Sequence, residues 1–302
     1  MRGAVAAALL AGLAALPAAQ AAVLPDSLRF CDLQASTSAA QKDRLLRFAA
    51  IVQSRLEASG QRIALLSRSG LALDRFGHRY SHAGLSLRAS ANGPWSVRQL
   101  YYACDEARPR LFDQGLAGFT LGIAEPDEAY LSAVLLPAPE AAALERIALD
   151  NAGALQLLGA QYSANAHAWA TLYQNCNQWV AELMALAWGR PGGDAPVRER
   201  AQRWLADAGY TPSAVAAGPV YMLAAVFVPW LHRDDHPEAD LQQGVFRLSL
   251  PQSLEQFVRQ HQPGAERLEF CQDGRRAVVR RGWTPIAAGC VPAAGDEVIA
   301  LD

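Results

Sequence analysis

Most signatures of a familiar chemistry are missing from this chain. It has no Gly-x-Ser-x-Gly elbow, so the usual serine-hydrolase turn is excluded, and no P-loop or dinucleotide glycine pattern to cradle phosphates. Charge is sparse and balanced: charged residues make up 19% of the chain and the net charge is −2. With no basic run and no interleaving of basic and aromatic residues, nucleic acid is excluded as a partner. No internal repeat or low-complexity tract stands out beyond a richness in alanine. The segment Tyr210 to Leu231 carries no charge, yet Pro212, Gly218, Pro219 and Pro229 break it. It is expected to lie over the core or a cleft and not to span a membrane.

What is present starts with an export signal. Arg2 supplies a positive n-region, Ala4 to Leu16 an apolar h-region, and Ala19-Gln20-Ala21 a small-x-small cleavage site. Residues 1–21 therefore read as a signal peptide, and the mature chain as periplasmic or secreted from a bacterial source. All five cysteines (31, 104, 176, 271 and 290) follow that site. An odd number in an oxidising compartment leaves one thiol over. Cys271 and Cys290 bracket a short hairpin-like segment and are the easiest pair to join. Cys31 with Cys104 is the second pair expected, although five cysteines admit many connectivities. Cys176 is then the free thiol.

At 51% apolar residues the composition is that of a globular protein, of a length that suits one large or two small domains. Ser38-Ala39-Ala40-Gln41 is a capping box, and Leu45, Phe48, Ala49, Val52 and Leu56 follow at helical spacing. Strands are expected at Arg62 to Ser67, Arg79 to Arg88 and Trp95 to Tyr102, with two more at Leu116 to Ile123 and Tyr130 to Leu136. Four helices are expected next, at Glu140 to Leu158, Ala164 to Tyr173, Cys176 to Trp188 and Val197 to Ala208. Strands followed by a run of helices give an α+β domain over residues 22–209. Residues 210–302 read as the apolar segment and a small β-rich appendage. That appendage comprises Val245 to Leu248, a helix at Gln252 to Gln260, a hairpin over Asp273-Gly274, and Asp296 to Leu301.

Two residues suggest chemistry. Cys176 lies where the polar Tyr173-Gln174-Asn175 meets a helix start, and the unpaired N–H groups and dipole there favour a thiolate. The plain alternative is a small buried hydrophobe. His82 sits in an otherwise apolar strand, and the small Ala83 and Gly84 leave room for another chain or a substrate to approach. Its plain alternative is a satisfied core histidine. His167, nine residues before the cysteine, is a second possible base. His232, Asp234, Asp235 and His236 form the densest group of metal-ligand types, but Pro229 and Pro237 frame it, so a charged loop is expected and no metal is assigned.

The order of these parts resembles the circularly permuted papain-like hydrolases of the NlpC type and the lecithin retinol acyltransferase group. The matching residues are His82-Ala83-Gly84-Leu85 and Asn175-Cys176-Asn177-Gln178-Trp179-Val180. More of the chain resembles a bacterial family, domain of unknown function 2145. That likeness rests on Arg79-Tyr80-Ser81-His82-Ala83-Gly84, Tyr173 to Trp179, Pro229 to Pro237, and Gly282-Trp283 flanked by Cys271 and Cys290.

The papain-like resemblance implies an antiparallel sheet packed against helices and a Cys176 thiolate paired with His82. It also implies a third polar residue on the strand after His82, for which Gln99 is the first choice and Asp105 and Asp113 are alternatives. The oxyanion would meet the Cys176 N–H and the Asn175 side chain, with Tyr173 and Trp179 lining the substrate site. The expected function is an exported thiol hydrolase cleaving an amide or ester without a cofactor, with cell-wall peptide as first substrate. The rivals are a non-catalytic envelope binding protein and a lipid-directed acyltransferase or lipase.

Overall fold

The computed structural model describes residues 37–70, 73–103, 106–218, 221–222 and 228–301. The signal peptide expected over residues 1–21, Cys31, Cys104, Asp105 and much of the apolar segment after Gly218 lie outside the described residues.

The strands are β1 (Ile63–Arg68), β2 (His82–Leu87), β3 (Ser96–Ala103), β4 (Arg108–Gln114), β5 (Ala129–Leu135), β6 (Ser213–Ala216), β7 (Val245–Leu248), β8 (Glu266–Gln272), β9 (Arg276–Arg281) and β10 (Glu297–Ala300). The helices are α1 (Ala39–Ala58), α2 (Leu116–Leu121), α3 (Ala138–Leu149), α4 (Asn151–Gln156), α5 (Cys176–Trp188), α6 (Val197–Asp207), α7 (Glu238–Gln242) and α8 (Pro251–His261). Eight strands form one sheet in the order β10-β9-β8-β5-β1-β2-β3-β4, with antiparallel neighbours throughout. β6 and β7 pair separately.

Side chains alternate across a strand, and here both faces are covered. Ile63, Leu65, Ala83, Leu85, Leu87, Leu100 and Val134 cluster with residues of α3, α5, α6 and α8. Ala64, Leu66, Val97, Leu131 and Ala133 cluster with Leu45, Phe48, Val52 and Leu56 of α1 and Phe119 of α2. That two-sided cover explains why every residue of β1 is buried. It is an α+β fold, a large antiparallel sheet packed against helices. The Ser38 capping box forms as expected, with reciprocal bonds of 2.9 Å and 3.2 Å to Gln41.

Four expectations need correction. Leu116 to Ile123 begins a helix, α2, because Leu116, Phe119 and Thr120 are buried together at helical spacing. The helix expected over Glu140 to Leu158 is two, since Asp150 ends α3 and caps α4 by accepting from the Ala152 N–H at 3.1 Å. Ala164 to Tyr173 is not a helix: its chain is bridged at Tyr162–Gln174 and His167–Leu248, and three of its carbonyls bind the Gln178 amide. The C-terminal strands are not an appendage either. β8 pairs with β5 along its whole length, so β8, β9 and β10 complete the main sheet.

Cys271 of β8 is joined to Cys290, with Cα atoms 5.7 Å apart, as expected. Among the described residues Cys176 is the free cysteine, and it is buried. No helix among the described residues is long and apolar enough to cross a membrane.

Candidate active site

Asn175 has extended backbone and caps α5, its side chain accepting from the Gln178 N–H at 2.7 Å. Cys176 is thus the first helical residue, at the end where N–H groups lack intrahelical partners. α5 is buried along nearly all its length, and its depth is stabilised by a polar network. Glu182, fully buried, accepts from Arg198 Nε and Nη2 at 2.9 and 3.0 Å, from Gln202 at 2.8 Å and from Gln174 at 2.7 Å. Arg198 also donates to the Thr171 and Tyr173 carbonyls, which fixes the chain running up to the cysteine.

Asn177 joins this helix end to the sheet. Its Oδ1 accepts from the Ala83 N–H at 2.9 Å and its Nδ2 donates to the Ser81 carbonyl at 3.2 Å. One side chain therefore clasps the backbone on both sides of His82. The Cys176 sulfur is met by the N–H groups of Asn177, Ala83 and Cys176 itself. Burial pushes the thiol up to about 11, against the Arg68 charge and those N–H groups, which all favour the thiolate.

His82 opens β2 at the end of the sheet. Its Nε2 lies 2.6 Å from Gln99 Oε1, and Gln99 Nε2 donates in turn to Gln114 Oε1 at 2.8 Å. This chain of amides assigns the proton of the neutral ring to Nε2 and leaves the Nδ1 lone pair as the base. The ring packs against Tyr101 at 5.1 Å and Phe119 at 6.0 Å between centroids. Burial, and then the Arg68 charge, lower its pKa to about 3, while the Gln99 bond pulls the other way. Burial thus disfavours the charged form of each partner in the expected thiolate–imidazolium pair. Among the described residues no hydrogen bond joins sulfur to imidazole; they share the Ala83 peptide and the Arg68 charge.

Arg68 is the residue missed in the sequence. It closes β1 directly opposite His82 in the β1–β2 register. Only 6% exposed, it makes no ion pair with any described residue. Its Nη1 donates to the Gly122 carbonyl and its Nη2 to the Tyr101 hydroxyl at 2.8 Å, and the guanidinium lies 5.3 Å from the Phe119 ring centre. A Cβ on Gly122 would come within 2.8 Å of the guanidinium, so that glycine makes the space. The available signal was a lone charge ending an apolar strand beside the histidine strand. Asn177 was inside a quoted motif but had no assigned part.

The structure joins His82 to Gln99 by a hydrogen bond, brings the Cys176 helix end to the Ala83 peptide beside them, and gives other work to the remaining candidates. The Asn175 amide nitrogen points to the carbonyls of Ser249 and Ala164 at 3.3 and 3.4 Å, so it does not serve an oxyanion. Trp179 is fully buried, its indole N–H on the Ala154 carbonyl at 3.3 Å, and lines the core instead of a substrate site. Tyr173 stacks on His232 at 4.2 Å and donates to Asp234. Asp113 is held by Arg98 at 2.6 and 2.7 Å. The His167 ring faces His236, not the thiol, and its backbone N–H donates to Asp235. The 232–236 segment is a loop, and no group of metal ligands is found among the described residues. The room beside Gly84 is taken by β3: an added Cβ would stand 2.6 Å from Val97 Cγ1 and 3.1 Å from Gln99 Cβ.

Fold and site together define an α+β protein with a buried thiol at a helix start, near an amide-held imidazole and an arginine that has no carboxylate partner among the described residues. The model of the family described as an uncharacterized protein conserved in bacteria (DUF2145) matches residues 55–258, and the chain belongs to that family. The match includes Arg68, His82, Gln99 and Cys176, and the second resemblance drawn from the sequence is thereby borne out. No curated protein and no solved structure matches the chain at a significant level.

Proposed function

We propose that the protein is an exported thiol hydrolase of permuted papain-like type, cleaving an amide or ester by acyl transfer through Cys176. The observation that carries this reading is the Asn177 clasp. It brings the peptide flanking His82 onto the helix end that bears the thiol, while Gln99 leaves Nδ1 as the basic nitrogen.

In this reaction the Cys176 proton passes to His82 Nδ1 as sulfur forms a bond to the carbonyl carbon. The tetrahedral oxyanion is met by backbone N–H groups at the open first turn of α5. The carbon–nitrogen or carbon–oxygen bond then breaks, and the leaving group takes the proton from His82. Water, deprotonated by the same nitrogen, cleaves the thioester and restores the thiol. Catalytic hydrogen bonds are often loose before substrate arrives, so the missing sulfur–imidazole bond is compatible with this course. Cell-wall peptide is the first substrate class, from the expected compartment and the papain-like likeness.

The test is hydrolysis of cell-wall peptides and of model esters by the mature protein. Turnover that disappears in Cys176→Ala and in His82→Ala supports the reading; turnover that survives both contradicts it. A non-catalytic binding protein on the same fold is favoured by one observation, the burial of the Cys176 thiol, which disfavours its thiolate.

A further inference from the structure

Two stretches singled out in the sequence have no part in the chemistry above: Arg79-Tyr80, ahead of His82, and the segment with Gly282-Trp283 that the Cys271–Cys290 bridge closes. The structure joins them. Glu269 of β8 is fully buried, and one of its oxygens accepts from Arg79 Nη1 at 3.0 Å and from the Tyr80 hydroxyl. Its other oxygen accepts from the Ile286 N–H at 2.6 Å, inside the bridged segment. Arg79 Nη1 also donates to the Ile286 carbonyl at 2.7 Å, so both backbone groups of Ile286 are tied to this pair. The Arg79 guanidinium lies 4.1 Å from the Tyr130 ring centre, and the Tyr130 hydroxyl accepts from the Cys290 N–H at 3.0 Å. Tyr80, Tyr130, Ile286 and the two bridged cysteines pack in one buried cluster. The sheet itself holds little at this place. The β2–β3 register covers Leu85 to Leu87 and stops short of His82. On the other side the β1–β2 register ends at His82, and the Ser81 N–H then returns to the Arg68 carbonyl at 3.2 Å. An imidazole at the end of a ladder takes its place from whatever fixes the chain on either side of it. The Asn177 clasp is one such tie, and Arg79 with Tyr80 is the other.

We propose that the bridged segment braces His82: Glu269 and Ile286 hold Arg79 and Tyr80, and these fix where β2 presents the imidazole. Arg79, Tyr80 and Glu269 are then positioning residues, acting through the chain that leads into His82. The use of this brace rests on the proposed thiol chemistry, but the coupling itself is readable without turnover.

The experiment compares the His82 ring signals, assigned by their loss in His82→Gln, in wild type and in a double variant, Cys271→Ala with Cys290→Ala. Arg79→Met and Arg79→Lys are measured beside them. Opening the bridge is expected to move the His82 signals although no bridge atom touches the ring. Arg79→Met moves the same signals, and Arg79→Lys, which keeps a cation over Tyr130 and a donor for Glu269, returns them toward wild type. Opening the bridge in the Arg79→Met protein adds no further movement, because both changes break one route. A lower urea midpoint with His82 signals at their wild-type positions in the folded variants overturns the proposal and leaves a role in stability alone. If the protein without the bridge does not fold, methionine against lysine at Arg79 decides: movement that lysine reverses supports the brace, and unmoved signals overturn it. In turnover, kcat is expected to be lower by roughly tenfold in Arg79→Met with KM little changed, the sign of a misplaced group and not of lost binding. Moved ring signals in a protein whose wild type turns over no substrate count against the enzyme reading alone.

Discussion

Gln99 accepts from His82 Nε2 at 2.6 Å and is itself oriented by Gln114 at 2.8 Å, so an amide, not a carboxylate, holds the imidazole. An amide orients the ring without adding a negative charge. Burial and then the Arg68 charge favour the uncharged ring, and the Gln99 bond alone works against them.

Gln99→Glu supplies the missing charge. An opposite charge in hydrogen-bond contact favours imidazolium, so the His82 pKa is expected to rise from about 3. Ring NMR across pH 3 to 8 reads the shift. An unmoved titration in the folded variant means that Gln99 does not hold the ring as described.

Thiol reactivity is expected to lack the low-pH plateau of a thiolate–imidazolium pair. With the thiol pushed up to about 11, alkylation of the folded wild type rises roughly tenfold per pH unit from pH 7 to 10. Iodoacetamide kinetics followed by intact mass check this. A rate already maximal near pH 6 contradicts the neutral pair.

Stability is expected to fall on the acid side. His82 has a folded pKa depressed from 6.5 to about 3, so the unfolded chain takes up a proton that the folded chain refuses. Its contribution is present above the unfolded value and is lost as pH falls through the interval from about 6.5 to 3, by up to about 1.4 kcal/mol per pH unit. Urea midpoints at pH 7, 6, 5 and 4 in wild type and His82→Gln isolate this part, because the variant has the shallower slope.

Gly84→Ala is expected to injure sheet and site together. The new Cβ would stand 2.6 Å from Val97 Cγ1 and 3.0 Å from the Arg98 carbonyl. Forcing such volume into a filled interior costs roughly 1–3 kcal/mol, and the displaced strand carries Gln99. The expected result is a lower urea midpoint together with a changed His82 ring spectrum. A change in one without the other separates the two roles.

Arg198→Met leaves the Glu182 carboxylate in the core without its cation. Removing one partner of a buried pair costs about 3–5 kcal/mol. The thermal midpoint is expected to drop by several degrees or more, and protease cleavage between residues 159 and 175 to appear, since Arg198 holds two carbonyls there.

The sequence was most legible where a local period or a cap decides the structure. The Ser38 box, the β1–β3 strands and α5 with Asn175 at its start follow from spacing over a few residues, and the Cys271–Cys290 bridge from a hairpin closed over 19. It was misleading where distant contacts override that spacing. Leu116 to Ile123 looks like a strand, but burial of Phe119 against the sheet makes it a helix. Ala164 to Tyr173 looks helical, but the Gln178 and Arg198 side chains hold its carbonyls in another path. The tail looked separate because nothing local reveals that β8 pairs with β5, more than a hundred residues earlier. At the site, Cys176, His82 and Gln99 were readable as residue types in order. The Arg68 charge and the Asn177 clasp were not, because both depend on which strand lies beside which.

The acyl-transfer claim is tested most directly by intact-mass analysis of the mature protein quenched in acid within seconds of mixing with an ester or peptide substrate. A mass increase equal to the acyl group, mapped to Cys176, removed by neutral hydroxylamine and absent in Cys176→Ala, is the expected result. Substrate turnover with no adduct on Cys176, or an adduct that maps to another residue, contradicts it.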